Sequence, residues 1–313
     1  MMKMYAAWYI MFLCCTASFF MNAKIKYTGR EEVVIDGGFE SKNAFINYVV
    51  IAGQRYILKQ KKDISKIVSA VMRDALAAYI AKDLAIANLV KIISPYDHIT
   101  GKKYPDCSAT LHTIAPGRCV RELVDSKYFQ LSLQQISFSK WNDTWLDDIL
   151  VQMVWHKQLP IIIALDLFIC NTDRHRGNIF YDELTDSFYA IDMDNIYREN
   201  TPDFVCACLD RMIHVDKRKF SRKEISSLVT LKNTLEFLLK KYPARKIMQR
   251  LYKCARKAGF VNIHSYHDVH IGRKIARQIT RHEEIIMQSH KSLYKLVKML
   301  DEVITNHQKT IEI

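Results

Sequence analysis

CNTDRHRGNIF, residues 170–180, is followed a few residues later by AIDMDN, residues 190–195. The first stretch crowds Asp173, Arg174, His175, Arg176 and Asn178 into six positions. The run before it, LPIIIALDLFI, is almost wholly apolar. A salt-bridged surface turn can be this polar without purpose, but a core segment cannot, because unpaired charge is costly to bury. Between the two stretches, FYDE and FYAID bracket a turn near residues 184–187, which predicts two short antiparallel strands. Such a hairpin returns the chain on itself, so that Asn178 and Asp192 face one another across its open end.

That pattern suits a particular chemistry. Phosphoryl transfer asks little covalent work of a protein. It needs a cation on the phosphates, a lysine beside them and an acid that orients the attacking hydroxyl. Magnesium takes oxygen ligands, often one or two carboxylates or amides, with water and phosphate completing its shell. An acid, an amide five residues later and an acid after the next strand supply those parts as Asp173, Asn178 and Asp192.

Partners lie upstream. VVID (33–36), AFINYVVI (44–51) and RYILKQ (55–60) are strand-like, with GGFESKN (37–43) expected as a flexible loop and AGQ (52–54) as a turn. Lys59 falls on the third strand. From Ile64 to about Ala87, apolar residues recur at steps of three and four, predicting a helix that carries Asp74. A strand lysine and an acid on the following helix would pair and aim the lysine at the phosphates. SATLHTI (108–114) reads as a further strand broken by Pro116-Gly117. Helices are expected over 141–156, 159–168, 222–241, 244–258 and roughly 272–306.

At these residues the chain resembles the atypical kinases of the phosphatidylinositol 3/4-kinase-like branch, whose loop reads D-R-H-x-x-N. It is also similar to the HipA-like kinases. The acid-led helix and its continuation, RDALAAYIAKDLAIANLVKIISP (73–95), add to the resemblance. The resemblance implies an α+β, bilobal protein-kinase-like fold, with a small β-rich N-lobe (24–115) and a larger helical C-lobe (116–313) hinged near residues 114–117. It implies ATP and Mg²⁺ as cofactors, Asp173 as the catalytic acid/base and His175 as an assisting group. Arg174 falls on the family arginine. Asn178 and Asp192 would be metal ligands. Lys59, Asp74 and the glycine pair Gly37-Gly38 would lie on the nucleotide side. Three features depart from the pattern. Asp74 stands where a glutamate is usual. Gly37-Gly38 is only a remnant of a glycine-rich loop. Met193-Asp194-Asn195 replaces the glycine usual after the metal-binding acid. Asp194 is thereby a rival ligand, although in a continuing strand its side chain would point the other way from its neighbours.

Composition bounds the rest. The chain has 313 residues, 49% of them hydrophobic, with 9 glycines and 6 prolines, which argues against disorder and against a turn-rich all-β fold. A formal net charge of +13 favours anionic partners. The expected acceptor is a protein or a phosphoinositide. An anionic membrane surface is a further candidate partner through KQKK (59–62), DKRKF (216–220) and LKKYPARK (239–246); nucleic acid is the less expected one. The competing reading is an inactive pseudokinase serving as a basic binding module. Residues 1–23 carry Lys3 as their only charge and read as a signal peptide or a membrane anchor, which predicts a secreted or membrane-anchored protein. The eight cysteines include no CxxC pair, so a zinc knuckle is not expected and disulfides stay open. HSYHDVH (264–270) spaces three histidines by threes, a pattern a metal would need further ligands to use.

Overall fold

The computed structural model describes residues 33–40, 44–61, 64–86, 90–93, 109–124, 156–197, 205–206, 208–209, 220–257 and 269–311. The apolar leader, nearly all of the helix expected over 141–156, Cys107, DKRKF up to its last residue and HSYHD lie outside them.

The front of the chain is an antiparallel meander of β1 (Val33–Glu40), β2 (Ala44–Ile51) and β3 (Gln54–Lys61). It is completed by β4 (Val90–Ile93) and β5 (Ala109–Thr113), in the order β1-β2-β3-β5-β4. Ala52 and Gly53 form the two-residue link between β2 and β3, both at positive φ (49° and 75°). That is the backbone twist that two-residue hairpins favour. One face of the sheet closes over Val49, Ile51, Tyr56, Leu58, Ala109 and Leu111.

Two local expectations are corrected here. The GG of GGFESKN is not loop: β1 runs through Gly37 and Gly38 to Glu40. The register passes from Ile35 opposite Val49 to Gly38 opposite Asn47, so β1 carries one extra residue, a bulge. Gly37 sits there at φ +105°, and a Cβ on Gly38 would lie 2.6 Å from the Ile46 carbonyl oxygen. The pair is therefore required by strand geometry. Secondly, VKII, part of the continuation of the acid-led helix and given no strand above, is an edge strand on β5.

Helix α1 (Ile64–Ala81) ends six residues before its expected limit. Its apolar stripe does not serve the sheet alone. Met72, Leu76 and Ile80 join a larger core with residues of the later helices. These are α3 (Leu159–Ile169), α4 (Arg222–Lys241), α5 (Ala244–Lys257) and α6 (Val269–Ile311), which follow the short α2 (Val120–Val124). The chain is thus α+β: a small antiparallel sheet in front, a helical C-terminal part behind, and α1 packed chiefly on α5. α4 starts on a reciprocal cap, with the Glu224 amide donating to Ser221 Oγ and the Ser221 amide to the Glu224 carboxylate.

A second, three-stranded sheet joins β6 (Arg118–Cys119), β7 (Ile179–Asp182) and β8 (Ser187–Ala190). Gly117, which leads into β6, has φ +81°, and a Cβ there would fall 2.1 Å from the Tyr181 carbonyl oxygen. No helix of the described residues is long and apolar enough to cross a membrane. Among them Cys119, Cys170 and Cys254 are free thiols.

Candidate functional site

The polar loop hangs from a buried anchor. α3 is nearly all apolar, with proline in its first turn, and it buries all but two of its eleven residues. Its one acid, Asp166, is fully buried. The helix stops at Cys170, which adopts a left-handed φ of 47°, and the Asn171 amide turns back to the Asp166 carbonyl. Arg174 then folds inward. Its Nε and Nη2 donate to the two Asp166 carboxylate oxygens at 2.7 and 2.9 Å. Its Nη1 donates to the carbonyls of Asn178 and Ile191 at 2.7 and 3.0 Å. One guanidinium thus ties the helix end, the loop and the far arm of the hairpin together. Asn171 adds a side-chain bond to Asp166 at 2.8 Å and accepts the Asp173 amide at 3.2 Å.

Around this anchor Asp173 and His175 reach the surface, while Asn178 is buried. The Asp173 carboxylate is part-exposed, and it accepts a 2.8 Å hydrogen bond from Asn195 Nδ2. Asn178 Nδ2 donates to the Asp173 carbonyl at 2.8 Å. That bond fixes the amide's sense and leaves its oxygen, the atom able to ligate a cation, on the other side. His175 caps the short 3₁₀ turn Arg176–Asn178, its Nδ1 accepting the Gly177 amide at 3.0 Å, while its Nε2 stands 4.0 Å from Asp173. Partial burial holds the imidazole below its usual pKa; Asp173 opposes this, and Arg121 and Arg174 reinforce it.

The hairpin behaves as the spacing predicts up to Ala190. The Ile191 amide donates to the Asn178 carbonyl at 3.0 Å, extending the β7–β8 ladder by one step and setting Asn178 beside the start of AIDMDN. The strand alternation then ends. Asp192 takes a left-handed φ of 51°, and the expectation that Asp194 points the other way is corrected: residues two apart share a face even in a strand, and here both acids turn to one side. Both carboxylates reach Lys59 Nζ: Asp192 through a short ion pair and Asp194 at 3.1 Å. Arg73 Nε donates to the Asp194 carbonyl, which ties α1 to the same segment. Burial alone would lower the Lys59 pKa. The three carboxylates Asp192, Asp74 and Asp194 outweigh it and hold the ammonium well above its ordinary value.

Asp74 is close enough to contribute to that field, but its direct partners differ from those expected. Asp74 Oδ2 pairs with His112 Nε2 at 3.0 Å and accepts from Thr110 Oγ1 at 3.1 Å. Thr110 lies across the ladder from Lys59. An aspartate, one methylene shorter than the usual glutamate, is thus taken up by β5 and bears on Lys59 through space. Burial raises its pKa, but His112 and Lys59 overcome this and leave it below the usual carboxylate range. Gly37 and Gly38 lie in the β1 bulge, and no described contact links them to the loop.

Three contributors lay beyond the sequence reading. Asn195 holds Asp173, Asp166 anchors Arg174, and His112 engages Asp74. Only Asp166 carried a signal, as a lone acid inside an apolar helix. Among the described residues no group of three His, Cys, Asp or Glu side chains is disposed to hold a metal ion. A magnesium site of one amide and one carboxylate lies outside that description, because magnesium retains several waters. The donors fit: Asn178 has its nitrogen committed and Asp192 is part-exposed beside it.

No family model matches the chain, and no curated protein matches it. Among solved structures it is similar to the crystal structure of a Helicobacter pylori proinflammatory kinase, CtkA. The identity is 12% and the TM-score 0.45, over 90% of this chain and 97% of that one. Likeness this distant is one of overall shape, and the chemistry rests on the residues themselves.

Proposed function

We propose that the chain is an ATP- and Mg²⁺-dependent phosphotransferase that moves the terminal phosphoryl group of ATP to a hydroxyl of a protein or an inositol lipid. One observation carries the reading: Lys59, from the sheet, meets Asp192 at the open end of the hairpin whose other arm starts at Asn178. Asp173 stands five residues before that amide, oriented by Asn195. In this reading Lys59 binds phosphate oxygens, with Asp74 sustaining its charge from β5. Asn178 and Asp192 hold the cation, which supplies charge neutralisation on the phosphates. Asp173 accepts the proton of the acceptor hydroxyl. His175, neutral at pH 7, is free to hydrogen-bond the acceptor. Asp194 is a candidate second ligand.

A second reading, a pseudokinase that binds without transfer, draws support from the engagement of Asp74 by His112 instead of by Lys59. Two measurements separate them. Radiolabelled ATP with magnesium, offered to protein and phosphoinositide acceptors, should give transfer that Asp192→Ala abolishes. A thermal shift with ATP and magnesium should vanish in Asn178→Ala. A folded Asp192→Ala protein that still transfers phosphate would refute the active reading. A nucleotide shift without transfer to any acceptor would favour the second.

A further inference from the structure

α6 begins VHIGRKIARQITRH, and between Val269 and His282 it contains no acid. Arg273, Arg277 and Arg281 recur every four residues and Lys274 falls between them. At 3.6 residues per turn these four cations occupy about 100° of the helix surface and about 12 Å of its length. Together with Gln278 they line a concavity of about 410 Å³. All four are exposed. Arg273, Lys274 and Arg277 have no carboxylate partner among the described residues. A solvated helix face normally intersperses acids with its bases or spreads the charge over a convex surface. Here like charges line one side of a hollow, and an anion bound there would relieve the repulsion among Arg273, Lys274 and Arg277.

We propose that this hollow is a binding site for a compact ligand carrying two or more phosphate groups, separate from the Asp173 loop. Arginine forks match phosphate oxygens two at a time, and cations spread over about 12 Å of helix reach further than a single phosphate extends. Gln278 adds a neutral amide donor. The volume lies within the range of small-ligand sites, of order 300–1,000 Å³. Such groups occur on soluble polyphosphates and on phosphoinositide headgroups, and the same contacts serve both. The site stands one residue from His282, whose Nδ1 contacts the Tyr197 carbonyl at 3.1 Å, so it adjoins the segment that carries Asp192 and Asn195.

The test uses inorganic tripolyphosphate with the full chain in EDTA, which removes any metal-dependent binding at the loop. Titration calorimetry should show one saturable site. Arg273→Glu/Arg277→Glu should weaken it at least tenfold, while the control Lys291→Glu/Lys295→Glu, an equal charge change at exposed positions further along α6, should leave it within twofold. Should the double glutamate variant misfold, Arg273→Gln/Arg277→Gln carries the same expectation. Equal affinities in the double variant and the control, or no saturable binding by the wild type, would overturn the proposal. Flotation with phosphatidylcholine vesicles containing phosphatidylinositol bisphosphate identifies the source. Recruitment lost in the double variant indicates a headgroup, and tripolyphosphate binding without recruitment indicates a soluble ligand. A single-stranded oligonucleotide that displaces tripolyphosphate and binds more tightly would replace the proposal with a nucleic-acid surface.

Discussion

Replacing Arg174 by alanine should damage the fold more than any exposed change in the loop. The side chain is fully buried, as is that of its partner Asp166. It makes four hydrogen bonds, two to that carboxylate and two to the Asn178 and Ile191 carbonyls. Removing it leaves Asp166 charged and buried with Asn171 as its remaining side-chain donor. Breaking one side of a buried ion pair costs about 3–5 kcal/mol. At about 2 °C per kcal/mol for a large domain, the melting temperature should fall by roughly 6–10 °C. Asp166→Leu alone should cost a similar amount by orphaning the guanidinium. Arg174→Met/Asp166→Leu removes both charges, so it should melt at least about 4 °C higher than the summed single effects predict, because the two losses share one cause. Thermal melts followed by circular dichroism measure all three. Single variants within about 2 °C of the wild type, or a strictly additive double variant, would refute the anchor. The double variant should still fail in phosphate transfer, since the two hairpin carbonyls lose their common donor.

Asn195→Ala should leave the melting temperature nearly unchanged while freeing the Asp173 carboxylate. A hydrogen bond to a charged group is worth about 1.5–3 kcal/mol. Phosphate transfer should therefore slow by roughly ten- to a hundredfold with little change in the KM for ATP. An equal loss in both parameters would mean that Asn195 shapes nucleotide binding instead. Asp74→Asn tests the field beneath Lys59 through pH. The folded-state pKa of Asp74 is depressed, so its contribution to stability is fully present above the unfolded value, about 4, and is lost as pH falls through the folded value. The wild type should melt above the variant near pH 7, and the gap should close as pH drops below about 4. A gap that stays constant down to acid unfolding would show that Asp74 stabilises by shape and not by charge.

What the sequence disclosed depended on the range of each signal. The meander, the hairpin and α4 obey periodicities of two or of 3.6 within single segments, and they stand where those periods place them. That Asp173, Asn178 and the start of AIDMDN lie close together was legible because one loop and one hairpin fix their relation over about twenty residues. Contacts set by tertiary packing were not. Asp74 lies within reach of the sheet, yet its choice between β3 and β5 depends on about one methylene of reach and on His112 standing two residues from Thr110. Nothing local encodes that. Asp192 and Asp194 make the same point in the backbone. Period-two alternation would set residues two apart on one face, but the ladder ends at Ile191 and a left-handed residue follows, so it is the turn and not a strand that brings both acids to one ammonium. A non-glycine residue in that conformation is unfavourable on its own. It persists because Arg73, Arg174 and the Ile191 amide hold the backbone on either side of it. The strained position is therefore sustained by residues whose own sequence context is ordinary, and for that reason the convergence of the two acids on Lys59 could be seen only once the helix, the sheet and the hairpin were placed together.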